Sequence, residues 1–209
     1  MVFRLIDESA GYTQLYYNYL VNWVRRIDSH KLDTLLLKAA KLTYSGYFFG
    51  YESKKFNYAK KKNIFTTEAE FTRNIVDAIY TELNNLKPIY SNETLDFGRT
   101  DYQKGQRIKY PKETLEQGRG NCIDASVLIA SILEMIGLNP VIVIIPGHAF
   151  VGWETWKDSN NYEYLETTFL GYGNFQDAHK KGMEEFSNTS EKIVVNIKKC
   201  RDEGIYSVQ

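Results

Sequence analysis

The chain has 209 residues, with 26 basic and 26 acidic side chains and 43% hydrophobic residues. This length suits one domain, or a domain with a sizeable extension, whose core needs neither disulfides nor metal. The balanced charge gives no basic surface of the kind that nucleic acids or anionic membranes attract. No apolar run is as long as a membrane span, and the first eight residues lack a signal-peptide layout. We therefore expect a cytoplasmic protein.

The first region, residues 1–62, is rich in Tyr, Phe and Lys and contains no motif that indicates chemistry. The spacing of its apolar residues predicts helices over 12–27 and 32–42. Three consecutive lysines at 60–62 predict a solvated connection. We expect this region to be a helical N-terminal extension and residues 63–209 to form the core.

The core begins with a clear helix signal. Thr67 and Glu70 fit a capping box, and the apolar spacing that follows predicts a helix ending before Pro88. Residues 89–117 are predicted to be a loop, within which Pro111 requires an extended Tyr110.

The segment 122–136 is apolar nearly all round, which is typical of a buried helix, and Gly137 suits its end. The later patterns predict strands at 141–145, 149–156, 162–168 and 193–197, a helix at 175–186, and a turn or short helix at 198–203. A buried helix followed by antiparallel strands predicts the α+β class.

Cys122 stands at the start of the buried helix, after two glycines in the run Gly118-Arg119-Gly120-Asn121. The glycines allow a substrate to approach the backbone closely, and a helix N-terminus favours a thiolate, which is the reactive form. The alternative is an inert core residue, because free cysteines are often buried. With only one other cysteine, Cys200, no disulfide framework is expected.

His148 is the expected base for this nucleophile, since it follows a Pro-Gly break and opens a predicted strand. His30 lies in the extension, and His179 lies in a Lys-rich helical stretch that we expect to be exposed.

An acid that orients His148 is expected on the two strands predicted at 149–156 and 162–168, where Glu154, Glu163 and Glu166 are the candidates. A regular hairpin would not put Glu166 directly opposite His148. If Glu166 is the acid, the sequence therefore predicts a bulge or a wider loop between the two strands.

Three segments together resemble the transglutaminase-like superfamily, which has a papain-like fold: Gly118 to Asp124, His148-Ala149-Phe150 and Glu166-Thr167-Thr168. The lead-in Gly105-Gln106-Arg107-Ile108 to Pro111 and the run Gly147 to Gly152 are similar to a bacterial subgroup found in helicase-like proteins. The similarity covers about residues 66–205. Many relatives have Asp where this chain has Glu166.

The resemblance implies a nucleophile helix packed on an antiparallel sheet, with a Cys122–His148–Glu166 triad. It also implies an oxyanion hole formed by the Cys122 N–H and the Gln106 side chain. The expected activity is that of a thiol protease, amidase or acyltransferase, which cleaves an amide or isopeptide bond of a protein or peptide through a thioester. No metal or cofactor is expected, since the sequence lacks a P-loop, a dinucleotide fingerprint and zinc-ligand spacing.

Two other functions are compatible with the same sequence. One is a non-catalytic protein-interaction module on the same fold. The other is an effector or processing domain of a bacterial defence system, which the helicase-associated subgroup alone suggests.

Overall fold

A computed structural model describes residues 17–48, 50–91 and 107–207. These ranges form an α+β structure, as predicted. The helices are α1 (His30–Leu42), α2 (Ser53–Lys61), α3 (Glu68–Asn85), α4 (Pro111–Gln117), α5 (Cys122–Met135), α6 (Phe175–Asn188) and α7 (Ile197–Asp202). The strands are β1 (Ile89–Tyr90), β2 (Arg119–Gly120), β3 (Pro140–Ile145), β4 (His148–Glu154), β5 (Tyr162–Leu165) and β6 (Ile193–Asn196).

The main sheet has four antiparallel strands in the order β5-β4-β3-β6. The continuous apolar run of β3 is buried along its whole length, which explains its central place. A two-residue turn joins β3 to β4, and its Gly147 has a φ of 74°, which glycine adopts without strain. The turn pairs Ile145 with His148 and so sets His148 at the very start of β4.

Helix α5 is buried on nearly every side and packs against β4 and β3. Helix α6 covers the β5 edge of the sheet. Its backbone approaches β5 so closely at Gly182 that an added Cβ would lie 2.6 Å from the backbone of Tyr164 and Leu165. The first half of the chain shares this core, since Val21, Leu35 and Phe56 belong to the same buried cluster as α5.

The N-terminal region differs from its prediction in two places. Of the helix predicted over 12–27, the described part contains a short 3-10 helix at Tyr19–Asn22, and residues 24–29 are not helical. The lysines at 60–62 are exposed, but Lys60 and Lys61 belong to α2, a helix that the sequence pattern did not predict. Phe56 and Ala59, three residues apart, form the buried face that stabilises this helix.

The predicted loop over 89–117 is wrong at both of its ends. Ile89–Tyr90 pairs with Arg119–Gly120 as a two-stranded parallel sheet. Pro111 begins α4, with Tyr110 extended before it, as predicted, at φ −68° and ψ 148°. Proline suits the first turn of a helix because its missing N–H would have no partner there.

The remaining predicted elements are confirmed with small shifts of their ends. The Thr67–Glu70 capping box is formed, and β4 and β5 end two and three residues earlier than predicted. Residues 198–203 fall mostly within α7. In the described ranges, each helix is too short or too polar to cross a bilayer.

Candidate active site

Cys122 is the first residue of α5, and a capping box fixes its position. The Asn121 side chain accepts a hydrogen bond from the Asp124 N–H at 3.0 Å, and the Asp124 carboxylate accepts one from the Asn121 N–H at 3.2 Å. As the first helical residue, Cys122 has a backbone N–H with no acceptor in a preceding turn. The residue is only 5% exposed, so its thiol is held at a defined point of the helix terminus.

Asp124 also ties the preceding segment to the nucleophile helix. Its other carboxylate oxygen accepts a hydrogen bond from the Lys109 N–H at 2.8 Å. The neighbouring Ile108 carbonyl accepts from the Trp23 indole at 3.2 Å. Gln106, the predicted oxyanion donor, lies outside the described residues.

An Asp124→Ala variant is expected to lose about 1–3 kcal/mol of unfolding free energy, because it leaves the buried Asn121 N–H and the partly buried Lys109 N–H without their acceptor. Equilibrium urea unfolding measures the loss. Asp177→Ala is the matched control, since Asp177 occupies the same position of α6 but is exposed. Equal losses in the two variants would contradict this role of Asp124.

His148 and Glu166 form a close hydrogen-bonded pair. The His148 Nε2 lies 2.7 Å from the Glu166 Oε2, and the two side chains are 21% and 3% exposed. Because Nε2 is occupied by the carboxylate, Nδ1 is the ring nitrogen left to exchange a proton with another group.

The Glu166 carboxylate is held from both sides. Its Oε1 accepts hydrogen bonds from the Thr168 N–H and from the Thr168 hydroxyl, both at 2.8 Å. Burial alone would raise the pKa of Glu166, but the bonds from His148 and Thr168 outweigh it and lower that pKa. The side chain is therefore a fixed, ionised acceptor for the imidazole.

Of the bulge or wider loop predicted for this pairing, the β4–β5 ladder shows no bulge, and residues 155–161 form a wide loop between the two strands. The β4–β5 ladder ends at the pair Val151–Leu165, and the next residue, Glu166, donates its N–H to the Ala178 carbonyl of α6. The regular register leaves Glu166 two positions out of step with His148, and the length of its side chain bridges the offset.

The Cys122 thiol is the second group that acts on the imidazole. Burial alone would lower the pKa of His148, but hydrogen bonding and charge interactions with Cys122 and Glu166 raise it to about 10. An imidazole in this environment is protonated at neutral pH whenever its two neighbours are anionic. The thiol and the carboxylate thus both favour the charged form of the same ring.

The other two candidate acids have different partners. Glu154 accepts hydrogen bonds from the Asn139 amide at 2.6 Å and the Asn160 N–H at 2.9 Å. Glu163 is paired with Arg73 and with His179, whose Nε2 is 3.2 Å from the carboxylate. His179 is therefore not exposed as predicted: its side chain is 20% exposed and lies over Phe175.

Two further residues at the site were not singled out from the sequence. Thr167 is buried, and its hydroxyl donates to the Cys122 carbonyl at 3.2 Å, which links the acid-bearing segment to the nucleophile. Tyr90 reaches Cys122 from β1. The Glu-Thr-Thr sequence was a usable signal for Thr167, whereas the two-residue strand that carries Tyr90 has no local pattern.

The described residues include no group of three or more His, Cys, Asp or Glu side chains that could hold a metal ion. A scan against protein-family models and searches of curated proteins and of solved structures found no match to this chain. Its function therefore has to be inferred from the Cys122–His148–Glu166 geometry.

Proposed function

We propose that this chain is a cysteine-dependent hydrolase or acyltransferase that acts on amide or isopeptide bonds of a protein or peptide. The observation that carries the proposal is the 2.7 Å bond between Glu166 and His148, whose ring also interacts with the Cys122 thiol. A nucleophile, a base and an orienting acid in contact are the parts that acyl transfer requires. The proposed roles are nucleophile for Cys122, base and acid for His148, and orienting group for Glu166.

In the proposed first half-reaction, the Cys122 thiolate attacks the carbonyl carbon and forms a C–S bond, while the carbonyl oxygen becomes an oxyanion. The Cys122 N–H donates to that oxygen. The His148 imidazolium then gives its proton to the leaving nitrogen as the C–N bond breaks. The products are a thioester on Cys122 and a free amine.

In the second half-reaction, His148 takes a proton from an incoming water or amine, whose oxygen or nitrogen attacks the thioester carbonyl. Collapse of the tetrahedral intermediate expels the Cys122 thiolate and restores the thiolate–imidazolium pair. Water gives hydrolysis and an amine gives acyl transfer. We take hydrolysis as the default because water is always present.

We further propose that α5 and the main sheet form a papain-like core of the transglutaminase-like type. The chain order of nucleophile, base and acid supports this, as does the packing of the nucleophile helix on antiparallel strands. His148 begins one strand and Glu166 directly follows the next, which matches the segments that carry the resemblance.

Two reagents test the proposal without a known substrate. Iodoacetamide alkylates thiolates, and p-nitrophenyl acetate transfers its acetyl group to a thiolate while releasing p-nitrophenolate. We expect both to modify Cys122 of the folded protein faster than they modify a free cysteine derivative at the same pH. Intact mass and release of p-nitrophenolate follow the acetylation, and loss of the acetyl group with time reports hydrolysis of the thioester.

Cys122→Ser is the control, because it leaves Cys200 as the single thiol. Cys200 is buried, and burial raises its pKa, so this variant should react slowly with both reagents. If wild type and Cys122→Ser react at the same rate, the enzymatic function is wrong and a non-catalytic interaction module becomes the better account.

A further inference from the structure

Tyr90 is held beside the nucleophile by the small parallel sheet. The Ile89 N–H donates to the Gly118 carbonyl at 2.9 Å, and the Ser91 N–H donates to the Gly120 carbonyl at 3.0 Å. These bonds pair Tyr90 with Gly120, two residues before Cys122. The phenol therefore approaches the start of α5 from a strand that is hydrogen-bonded to Gly118 and Gly120, directly before that helix.

The Tyr90 hydroxyl interacts with both hydrogen-bonding groups of Cys122, the thiol and the backbone N–H. Burial of the ring, followed by the charge and hydrogen bond of Cys122, raises the pKa of Tyr90 to about 12. The hydroxyl consequently keeps its proton wherever a thiolate is present at ordinary pH, and it can act as a donor. Tyr90 is 39% exposed, so a substrate can reach it.

An oxyanion formed by attack of Cys122 lies next to that sulfur and within hydrogen-bonding distance of the Cys122 N–H. When such an oxyanion takes over the Cys122 N–H, which in the free protein donates to the Tyr90 oxygen, the Tyr90 hydroxyl stays beside it as a second donor. We propose that Tyr90 is a catalytic residue whose hydroxyl, with the Cys122 N–H, stabilises the oxyanion of an acyl substrate. This inference rests on the proposed function of Cys122.

The role is compatible with a contribution from Gln106, since an oxyanion accepts several hydrogen bonds. It differs from a packing role, which Tyr90 also has. Its ring lines an apolar cavity together with Leu83, Ala125 and Leu128, and this contact needs the ring and not the hydroxyl. Tyr90→Phe keeps the ring and removes the donor, so it separates the two roles.

The test compares two reactions of Cys122 in the Tyr90→Phe variant. Acetylation by p-nitrophenyl acetate passes through a tetrahedral oxyanion, whereas alkylation by iodoacetamide displaces iodide at a saturated carbon and forms none. The ratio of the two rate constants therefore measures oxyanion stabilisation independently of how nucleophilic the thiolate is. We expect Tyr90→Phe to lower this ratio by about 10²-fold or more, the range for loss of one oxyanion donor.

Tyr58→Phe is the matched control, because Tyr58 is an exposed tyrosine on α2 and its ratio should stay at the wild-type value. An unchanged ratio in Tyr90→Phe would overturn the inference, whether both rates stay constant or fall together. Failure of the proposed function has a different signature: wild type itself would then react with neither reagent faster than Cys122→Ser does.

Discussion

His148→Ala is expected to slow the acetylation of Cys122 by p-nitrophenyl acetate by up to about 10⁴-fold at neutral pH, the upper range for loss of a general acid–base group. The reason is electrostatic as well as chemical. Interactions with Cys122 and Glu166 overcome the effect of burial and raise the pKa of His148 to about 10. Without the imidazolium, the thiol loses the cation that stabilises its charge and the group that exchanges its proton.

The same raised pKa fixes the sign of the pH dependence. The imidazole is protonated below about pH 10 in the folded chain, compared with about 6.5 for an isolated histidine. A step that needs the imidazolium as an acid should thus persist into the alkaline range and fail as the pH passes about 10. The pH profile of amide cleavage, once a substrate is found, should show that alkaline limb.

His179→Ala is the matched control for His148→Ala. His179 is also paired with a glutamate, and its side-chain exposure of 20% is close to the 21% of His148. Loss of His179 should cost stability without slowing acetylation in the folded protein. Similar rate losses in both variants would mean that His148 supports the fold rather than the thiol.

Glu166→Gln is expected to reduce turnover by about 10⁴-fold, as loss of a triad acid can. The hydrogen bonds explain why an isosteric amide should be so damaging. The two Thr168 donors hold the amide oxygen, so the amide NH₂ faces the His148 Nε2. That nitrogen must then accept a hydrogen bond, which leaves the proton on Nδ1, where it blocks uptake of a proton from the thiol.

The matched control is Glu163→Gln, which changes the other buried carboxylate that contacts a histidine. It loses a charge-assisted bond from Arg73 and should unfold more easily, yet it should acetylate Cys122 at the wild-type rate once folded. Far-ultraviolet circular dichroism checks the fold of both variants, and release of p-nitrophenolate gives the rates. Wild-type acetylation in Glu166→Gln would reject Glu166 as the orienting acid.

Local patterns were enough to predict much of this fold. The Thr67–Glu70 capping box and the apolar run after Cys122 specify helices through neighbours three and four residues apart, and both helices are present. The strands around Gly147 follow from alternation and turn residues in the same way. Helix α2 was not predicted, because only Phe56 and Ala59 form its buried face and the surrounding sequence is rich in lysine.

The features that the sequence did not predict depend on contacts between residues far apart in the chain. The pairing of Tyr90 with Gly120 joins residues thirty positions apart through two-residue strands, which leave no periodic signal. Similarly, the offset between His148 and Glu166 depends on where β5 leaves the sheet, and α6 sets that point by accepting the Glu166 N–H. The residues of the candidate triad were readable from the sequence, whereas the supporting contacts of Thr167 and Tyr90 required the tertiary structure.

The rate at which iodoacetamide alkylates Cys122 at neutral pH tests the central claim most directly. Intact mass of wild type, compared with that of Cys122→Ser, isolates the reaction of this one thiol. We predict that Cys122 reacts faster than a free cysteine derivative and that His148→Ala slows the reaction toward that rate, because the imidazolium stabilises the reactive thiolate. Equal alkylation rates of Cys122 in wild type and in His148→Ala would contradict a Cys122–His148 catalytic pair.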